Sequence, residues 1–266
     1  MPRPDGSDSG HLRPDSHARD LLSVISNGSL QIAFQPITDL RAARVVGLEA
    51  LARPPADSLM RSAGELFSKA DAMGLTSALD ARARRAILDA CTPLPAGTLL
   101  FLNIAAQTLA DRQAVASMCE DLSRTLDPSR VVIELTETGG REDLIADAIG
   151  VLRRGGFAIA LDDLGSGHCD LRRLVDLRPE WIKLDRSLTH RIHRDPARAR
   201  LVASLLTYAG GSPARVIAEG VERPGELTCL RRLGVRFVQG YLLARPSRSH
   251  HAARRLAEGE LSRLAA

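Results

Sequence analysis

Lysine is nearly absent from this chain. Of its 36 basic residues only Lys69 and Lys183 are lysines, and the rest are arginine. Arginine stays charged everywhere, whereas a lysine is a compact ammonium whose pKa follows its surroundings. A lysine kept at 183, inside the apolar run Trp181-Ile182-Lys183-Leu184, therefore marks a place where an ammonium is wanted. Aromatic residues make up 3% of the chain, so surfaces for stacking nucleic-acid bases are scarce. The net charge of +4 is spread among nearly as many acids, which argues against nucleic acid as a partner and for a modest pull on an anionic ligand. The four cysteines (Cys91, Cys119, Cys169 and Cys229) form no C-x-x-C pair, which speaks against a structural zinc and against disulfides. The longest apolar run, residues 98–106, is too short to cross a membrane. No apolar leader follows the first Met, so a cytoplasmic protein is expected.

What is present is a succession of strands and helices. Residues 1–20 lack apolar periodicity and are expected to form a flexible tail, with a short helix opening at Leu21. Strand-like runs follow at 30–37, 44–50, 99–104, 131–136, 157–161, 181–184, 215–218 and 236–239. Helical periodicity separates the later ones, at 76–90, 114–126, 144–154 and 197–208, and a last helix covers about 250–264. Alternation of this kind implies parallel strands joined by right-handed crossovers, and eight of them suggest a closed barrel. The first two runs are separated only by residues 38–43. A parallel crossover needs a dozen or more residues, so this pair must be an antiparallel hairpin. The expected fold is an α/β modified (β/α)8 TIM-type barrel with an antiparallel first strand, occupying residues 21–266.

Nearly every strand ends in a carboxylate or amide: Glu49, Asn103, Glu134, the pair Asp162-Asp163, Lys183 with Asp185, Glu219 with Glu222, and Gln239. In a barrel these ends share one rim, where active sites of this architecture lie. Glu49, Glu134, Asp162, Asp163 and Glu219 would bring five negative charges into one mouth, which is costly without cations. Two divalent cations would compensate them, and all-oxygen donors suit Mg²⁺ or Mn²⁺ rather than zinc. A pair of such ions is the usual clamp for displacement at phosphorus. Elsewhere, His190 and His193 read as a solvated surface pair, His250-His251 as an exposed chain end, and Trp181 as a core residue near Lys183.

At these residues the sequence resembles the EAL-domain cyclic-di-GMP phosphodiesterases. Glu49-Ala50-Leu51-Ala52-Arg53 matches the signature E-A-L-x-R, and Gln35-Pro36-Ile37 resembles the family's first strand. Asn103 lies at the expected N-[LIV] position, and Glu134-Leu135-Thr136-Glu137 resembles E-x-T-E. Asp162-Asp163-Leu164-Gly165-Ser166-Gly167 resembles D-D-F-G-[TA]-G, and Ile182-Lys183-Leu184-Asp185 resembles I-K-[IL]-D. Glu219-Gly220-Val221-Glu222 matches E-G-V-E, and Gln239-Gly240-Tyr241 matches Q-G-[YF].

The resemblance implies hydrolysis of cyclic di-GMP to linear pGpG with two Mg²⁺ or Mn²⁺. By it, Glu49, Asn103, Glu134, Asp162, Asp163 and Glu219 would be metal ligands. Lys183, Glu222 and Glu219 would serve catalysis, with Lys183 on the attacking water. Arg53, Gln35, Leu51 and Gln239 would contact substrate. Asp185 would support the site, and Glu137 would anchor the loop after Asp163. A homodimer and a regulatory partner protein are further expectations. Leu164 and His168-Cys169-Asp170 depart from the family's Phe and Tyr-Ser-Ser. The rival reading is a catalytically weak or inactive receptor or protein-interaction module.

Overall fold

Because only residues 40–43 separate the first strand β1 (Gln31–Asp39) from β2 (Arg44–Arg53), the chain folds straight back on itself there. The hairpin is antiparallel, with Gln35 opposite Glu49. In the computed structural model, which describes residues 15–27, 30–135, 142–166 and 171–265, eight strands then close into one barrel in chain order. They continue as β3 (Leu99–Ile104), β4 (Val131–Leu135), β5 (Ala158–Leu164), β6 (Trp181–Leu184), β7 (Arg215–Ala218) and β8 (Phe237–Val238). From β3 onward each pairs in parallel with its predecessor, and β8 closes on β1 in antiparallel fashion. The reversed first strand follows from the short connection, as the sequence predicts.

Helices wrap this barrel. They are α1 (Ser16–Asn27), α2 (Ala63–Ala72), α3 (Thr76–Cys91), α4 (Ala106–Leu109), α5 (Arg112–Thr125) and α6 (Glu142–Arg154). After these come α7 (Arg172–Leu177), α8 (Arg186–Thr189), α9 (Pro196–Gly210), α10 (Pro224–Leu233) and α11 (His250–Ala265). Their starts are written in the sequence. Ser62 caps α2 by accepting from Glu65 N, and Asp111 caps α5 by accepting from Gln113 N and Ala114 N. Pro196 and Pro224 occupy first turns, where their missing N–H costs nothing. No helix among the described residues is long and apolar enough to cross a membrane.

Two expectations about the chain ends are corrected. Helix α1 begins at Ser16, so residues 16–20, expected in the tail, are helical; Leu21 and Val24 bury its apolar side. His250 is not an exposed chain end. It is buried with its ring edge-on to Phe34, 5.7 Å between centroids. The cause is topological. A hairpin leaves no crossover helix to cover the outside of β1 and β2, and α11 fills that place with Ala253, Ala257 and Leu261.

The seam between the hairpin and β8 is pinned by charge. Asp39, buried at the end of β1, accepts two hydrogen bonds from Arg236 on one oxygen (Nη2 to Oδ2 2.7 Å, Nε to Oδ2 2.9 Å). Its other oxygen accepts from Arg41 N and Ala42 N in the turn. Arg236 and these two amides outweigh burial and hold the Asp39 carboxyl below the usual range.

Inside the barrel the period-two alternation of strands stacks two layers. Phe101, Val132, Ala160, Trp181, Ile217 and Phe237 form an apolar plug. The Trp181 ring meets Phe101 and Phe237 edge-on at 5.3 and 5.1 Å. Two residues further along each strand stand Asn103, Glu134, Asp162, Lys183, Glu219 and Gln239. The plug therefore forms the floor of a polar layer that opens at the C-terminal ends of the strands. Gly47 stands two residues before Glu49 and leaves the room that Phe101 takes: a Cβ there would lie 2.7 Å from the Phe101 ring. Gly47→Ala is expected to cost about 1–3 kcal/mol by overpacking. Urea unfolding measures it, and adding Phe101→Leu to the same chain should recover part of the loss.

Candidate active site

Lys183 stands at the centre of the polar layer. Its ammonium is 1% exposed and faces four carboxylates: Glu134 and Glu219 at 2.8 Å, Asp162 at 3.1 Å and Glu49 at 3.5 Å. These come from β4, the end of β7, β5 and β2, four elements far apart in sequence. Burial alone would lower the Lys183 pKa, but Glu134, Glu219, Glu49 and Asp162 together hold it well above the usual ammonium range. Burial also works on the acids. It pushes Glu134 and Glu219 well above ordinary carboxyl values and raises Asp162, against the attraction of Lys183 and with the repulsion of the neighbouring acids. Glu49 moves the other way. Lys183, Gln239 and Asn103 outweigh its burial and keep its carboxyl low.

Those amides are aimed at Glu49. Asn103 donates from Nδ2 to Oε1 at 3.1 Å, and Gln239 donates from Nε2 to Oε2 at 2.6 Å. Asn103 is supported in turn from α3. Asp80 is buried and accepts from Ala105 N (3.0 Å) and from the Thr108 hydroxyl (2.5 Å), which fixes the turn leaving β3. Burial raises the Asp80 carboxyl to about 6 despite these donors.

The adjacent acids Asp162 and Asp163 would point to opposite faces of a regular strand. The β5–β6 register shifts between Leu161 and Leu164, and Asp163 adopts φ +54°. Aspartate tolerates this left-handed conformation better than most residues. The irregularity brings carboxylate oxygens of Asp162, Asp163 and Glu219 within 4.8 Å of one another. Glu49, Glu134 and Asp162 form a second such group. Bulges beside active sites commonly re-aim side chains in this manner.

The remaining expected residues distribute around the mouth. Gln35, Glu49, Leu51, Glu219, Glu222 and Gln239 line a cavity of about 380 Å³. Gln35 also reaches Ala244 O at 3.4 Å. Arg53 lines a neighbouring cavity of about 390 Å³, which shares Leu51 with the first and includes Asn103 and Asp80. Its Nη1 donates to Ala52 O at 3.3 Å. Asp185 caps α8 by accepting from Ser187 N at 2.7 Å. Glu137 and residues 168–170 lie outside the described residues. Trp181 is buried in the plug beneath Lys183, as expected. His193 is exposed on a short 3-10 turn (Ile192–Arg194), as expected of a solvated surface, with its ring beside Gly225, whereas His190 is half-buried just past α8 with its Nδ1 3.8 Å from buried Glu226.

Sequence reasoning missed three supports of this mouth. Arg186 pairs with Glu222 at 3.0 Å, Thr189 donates to Glu219 O, and Glu226 binds the main chain of Glu222. Only Glu226 left a trace, as the acid in the first turn of a helix opened by Pro224.

The donor set suits a hard divalent cation, since every candidate ligand offers oxygen. Glu134 adds a specific sign. It is wholly buried, and its Oε2 finds no hydrogen-bond donor among the described residues. A buried carboxylate oxygen left this way is costly unless something positive meets it.

An eight-stranded barrel with a buried acid cluster at its C-terminal rim is the build of a barrel protein carrying a divalent-metal site. The chain belongs to the EAL domain family, whose model matches residues 18–246. Its relatives include the probable cyclic di-GMP phosphodiesterase PdeN of Escherichia coli, 30% identical over 242 residues (88% of this chain and 46% of PdeN). The cyclic di-GMP phosphodiesterase RocR of Pseudomonas aeruginosa is 28% identical over 254 residues, covering 87% of this chain and 61% of RocR. The chain thus spans about half the length of the curated relatives it matches. Among solved structures, the manganese/cy-diGMP complex of Klebsiella pneumoniae BlrP1 superposes with a TM-score of 0.75 at 31% identity, covering 82% of this chain and 56% of that one.

Two measurements check this electrostatic picture. Mn²⁺ should stabilise the protein, by about 2.7 kcal/mol at a hundred times its Kd; an unchanged melting temperature at millimolar Mn²⁺ would contradict the cluster. Asp80 titrates higher in the fold than its ordinary 3.8, so its contribution to stability is full at low pH and is lost as pH rises through about 6. Asp80→Asn should remove on the order of 2–3 kcal/mol of that pH dependence, read by urea unfolding from about pH 4 to 7.

Proposed function

We propose that this chain is a metal-dependent phosphodiesterase that hydrolyses cyclic di-GMP to linear 5′-pGpG. The observation that carries the reading is the convergence of acids around Lys183, with a buried Glu134 oxygen that meets no hydrogen-bond donor among the described residues. The names of relatives, and the dinucleotide bound with manganese in BlrP1, support the choice of substrate. Glu49, Glu134, Asp162, Asp163 and Glu219 set five carboxylates against the one ammonium of Lys183, leaving a formal −4 that two divalent cations would balance. Glu49, Asn103, Glu134, Asp162, Asp163 and Glu219 would hold two Mg²⁺ or Mn²⁺. Ions held there would supply a water of lowered pKa and a clamp on the phosphoryl oxygens.

The chain's own groups then divide the work. Lys183, with its ammonium 2.8–3.5 Å from four of the carboxylates, would donate to and orient the attacking water from the floor of the mouth. Glu222 and Glu219 would take part at that water, with Asp185 and Gln239 ordering its surroundings. Arg53, at the rim beside Leu51, offers a fork of donors suited to a phosphate. Gln35, Leu51 and Gln239 would contact the rest of the dinucleotide from the cavity wall. The plug beneath keeps water from approaching through the barrel. In this reading the working unit is a cytoplasmic homodimer, and any input signal comes from a partner protein.

Purified protein with Mn²⁺ should convert cyclic di-GMP to pGpG. Glu49→Gln should lower the rate by more than about a hundredfold, through weakened metal binding. Lys183→Ala should slow turnover while binding Mn²⁺ at least as tightly, because the competing ammonium is gone. Binding without turnover under any divalent metal would point instead to a receptor.

A further inference from the structure

Glu226 belongs to none of the motifs above and does not line the mouth cavity, yet it is a wholly buried carboxylate. As the third residue of α10 it takes the usual first-turn contact, Oε2 accepting from Arg223 N at 3.0 Å. Capping requires no more than that. The same oxygen also accepts from Glu222 N at 2.9 Å. The other oxygen leaves the helix altogether and accepts from Arg191 N at 2.8 Å, 35 residues away. Arg191 is held at φ +54°, just beyond the helix α8 that carries Arg186. Arg186 is in turn the residue paired with the Glu222 carboxylate. Burial would raise the Glu226 carboxyl, but the three backbone donors outweigh it and keep the group ionised.

We propose that Glu226 is the positioning residue that fixes the Glu222 carboxylate at the barrel mouth, by gripping the main chain on both sides of the Glu222–Arg186 pair. One oxygen holds the backbone of Glu222 itself. The other holds the segment that follows Arg186. A free helix end could not do both, because Glu222 and Arg191 reach Glu226 from different strand ends. The inference rests on the reading that Glu222 takes part in hydrolysis. Glutamine at 226 keeps an oxygen for Glu222 N and Arg223 N but sets its amide against Arg191 N–H. Alanine releases all three.

The test uses the full chain in two arms. In metal-free protein, hydrogen exchange at Glu222 and Arg191 should quicken by about tenfold or more in Glu226→Ala, with the barrel strands unchanged. Glu226→Gln should lose protection at Arg191 and keep it at Glu222. With Mn²⁺ and cyclic di-GMP, Glu226→Ala should lower kcat about tenfold or more, leaving KM and the Mn²⁺ half-saturation within about twofold. Glu226→Gln should retain most of the rate. In a Glu222→Gln background, Glu226→Ala should add no further loss, since a residue acting through Glu222 has nothing left to act on. Unchanged exchange at Glu222 overturns the proposal, as does a full additional loss in the Glu222→Gln background. A wild-type protein without turnover overturns the proposed function instead, and the exchange arm then decides this inference alone.

Discussion

The contact of one buried ammonium with four carboxylates, three of them buried, is the constraint on which the rest of the molecule turns. Acids crowded into a low-dielectric mouth repel one another and resist ionisation. The Lys183 ammonium opposes that repulsion from a distance of 2.8–3.5 Å. It does so from below, on the floor formed by Trp181, Phe101 and Phe237, leaving the open side of the mouth to solvent and ligand. The scarcity of lysine elsewhere in the chain acquires a reason here. A guanidinium is flat and broad, whereas a compact point charge can touch four carboxylates arranged around it.

Much of the fold was legible because it follows from spacing. Strands β3, β6 and β7 have the bounds their apolar runs suggest, and the hairpin could be read from six residues of connection. The convergence of Glu49, Glu134, Asp162 and Glu219 followed from barrel geometry once the strand ends were placed. What escaped the sequence is what depends on partners distant in the chain. Nothing around His250 announces that Phe34 will bury it, because that contact exists only where α11 replaces a missing crossover helix. Nothing in the pair Asp162-Asp163 discloses the left-handed backbone at Asp163 that lets neighbours in sequence serve one mouth. Asp80 and Glu226 read as ordinary helix residues, and only the fold brings the turns they hold within reach.

The rim is tied together as one layer. Gly240 follows Gln239 and lies so close to Val221 that a Cβ would fall 2.1 Å from the Val221 carbonyl oxygen, so the loop bearing Glu222 and the loop bearing Tyr241 run backbone against backbone. Val221 N donates to Gln239 O at 3.1 Å, and Leu242 N donates to Val221 O at 3.0 Å. Thr189 joins α8 to the carbonyl of Glu219, and Ser187 joins it to the carbonyl of Gly165 beyond the paired aspartates. A displacement in any one of these loops is therefore felt at the ends of β5, β7 and β8 together.

The stacked interior has a wider consequence. The side chains that hold the barrel shut and those that face its mouth alternate along the same strands, two residues apart, and almost none serves both ends. Such a scaffold separates the packing of its interior from the chemistry of its mouth. A lineage built this way could exchange mouth residues one position at a time while the packing beneath them keeps its arrangement.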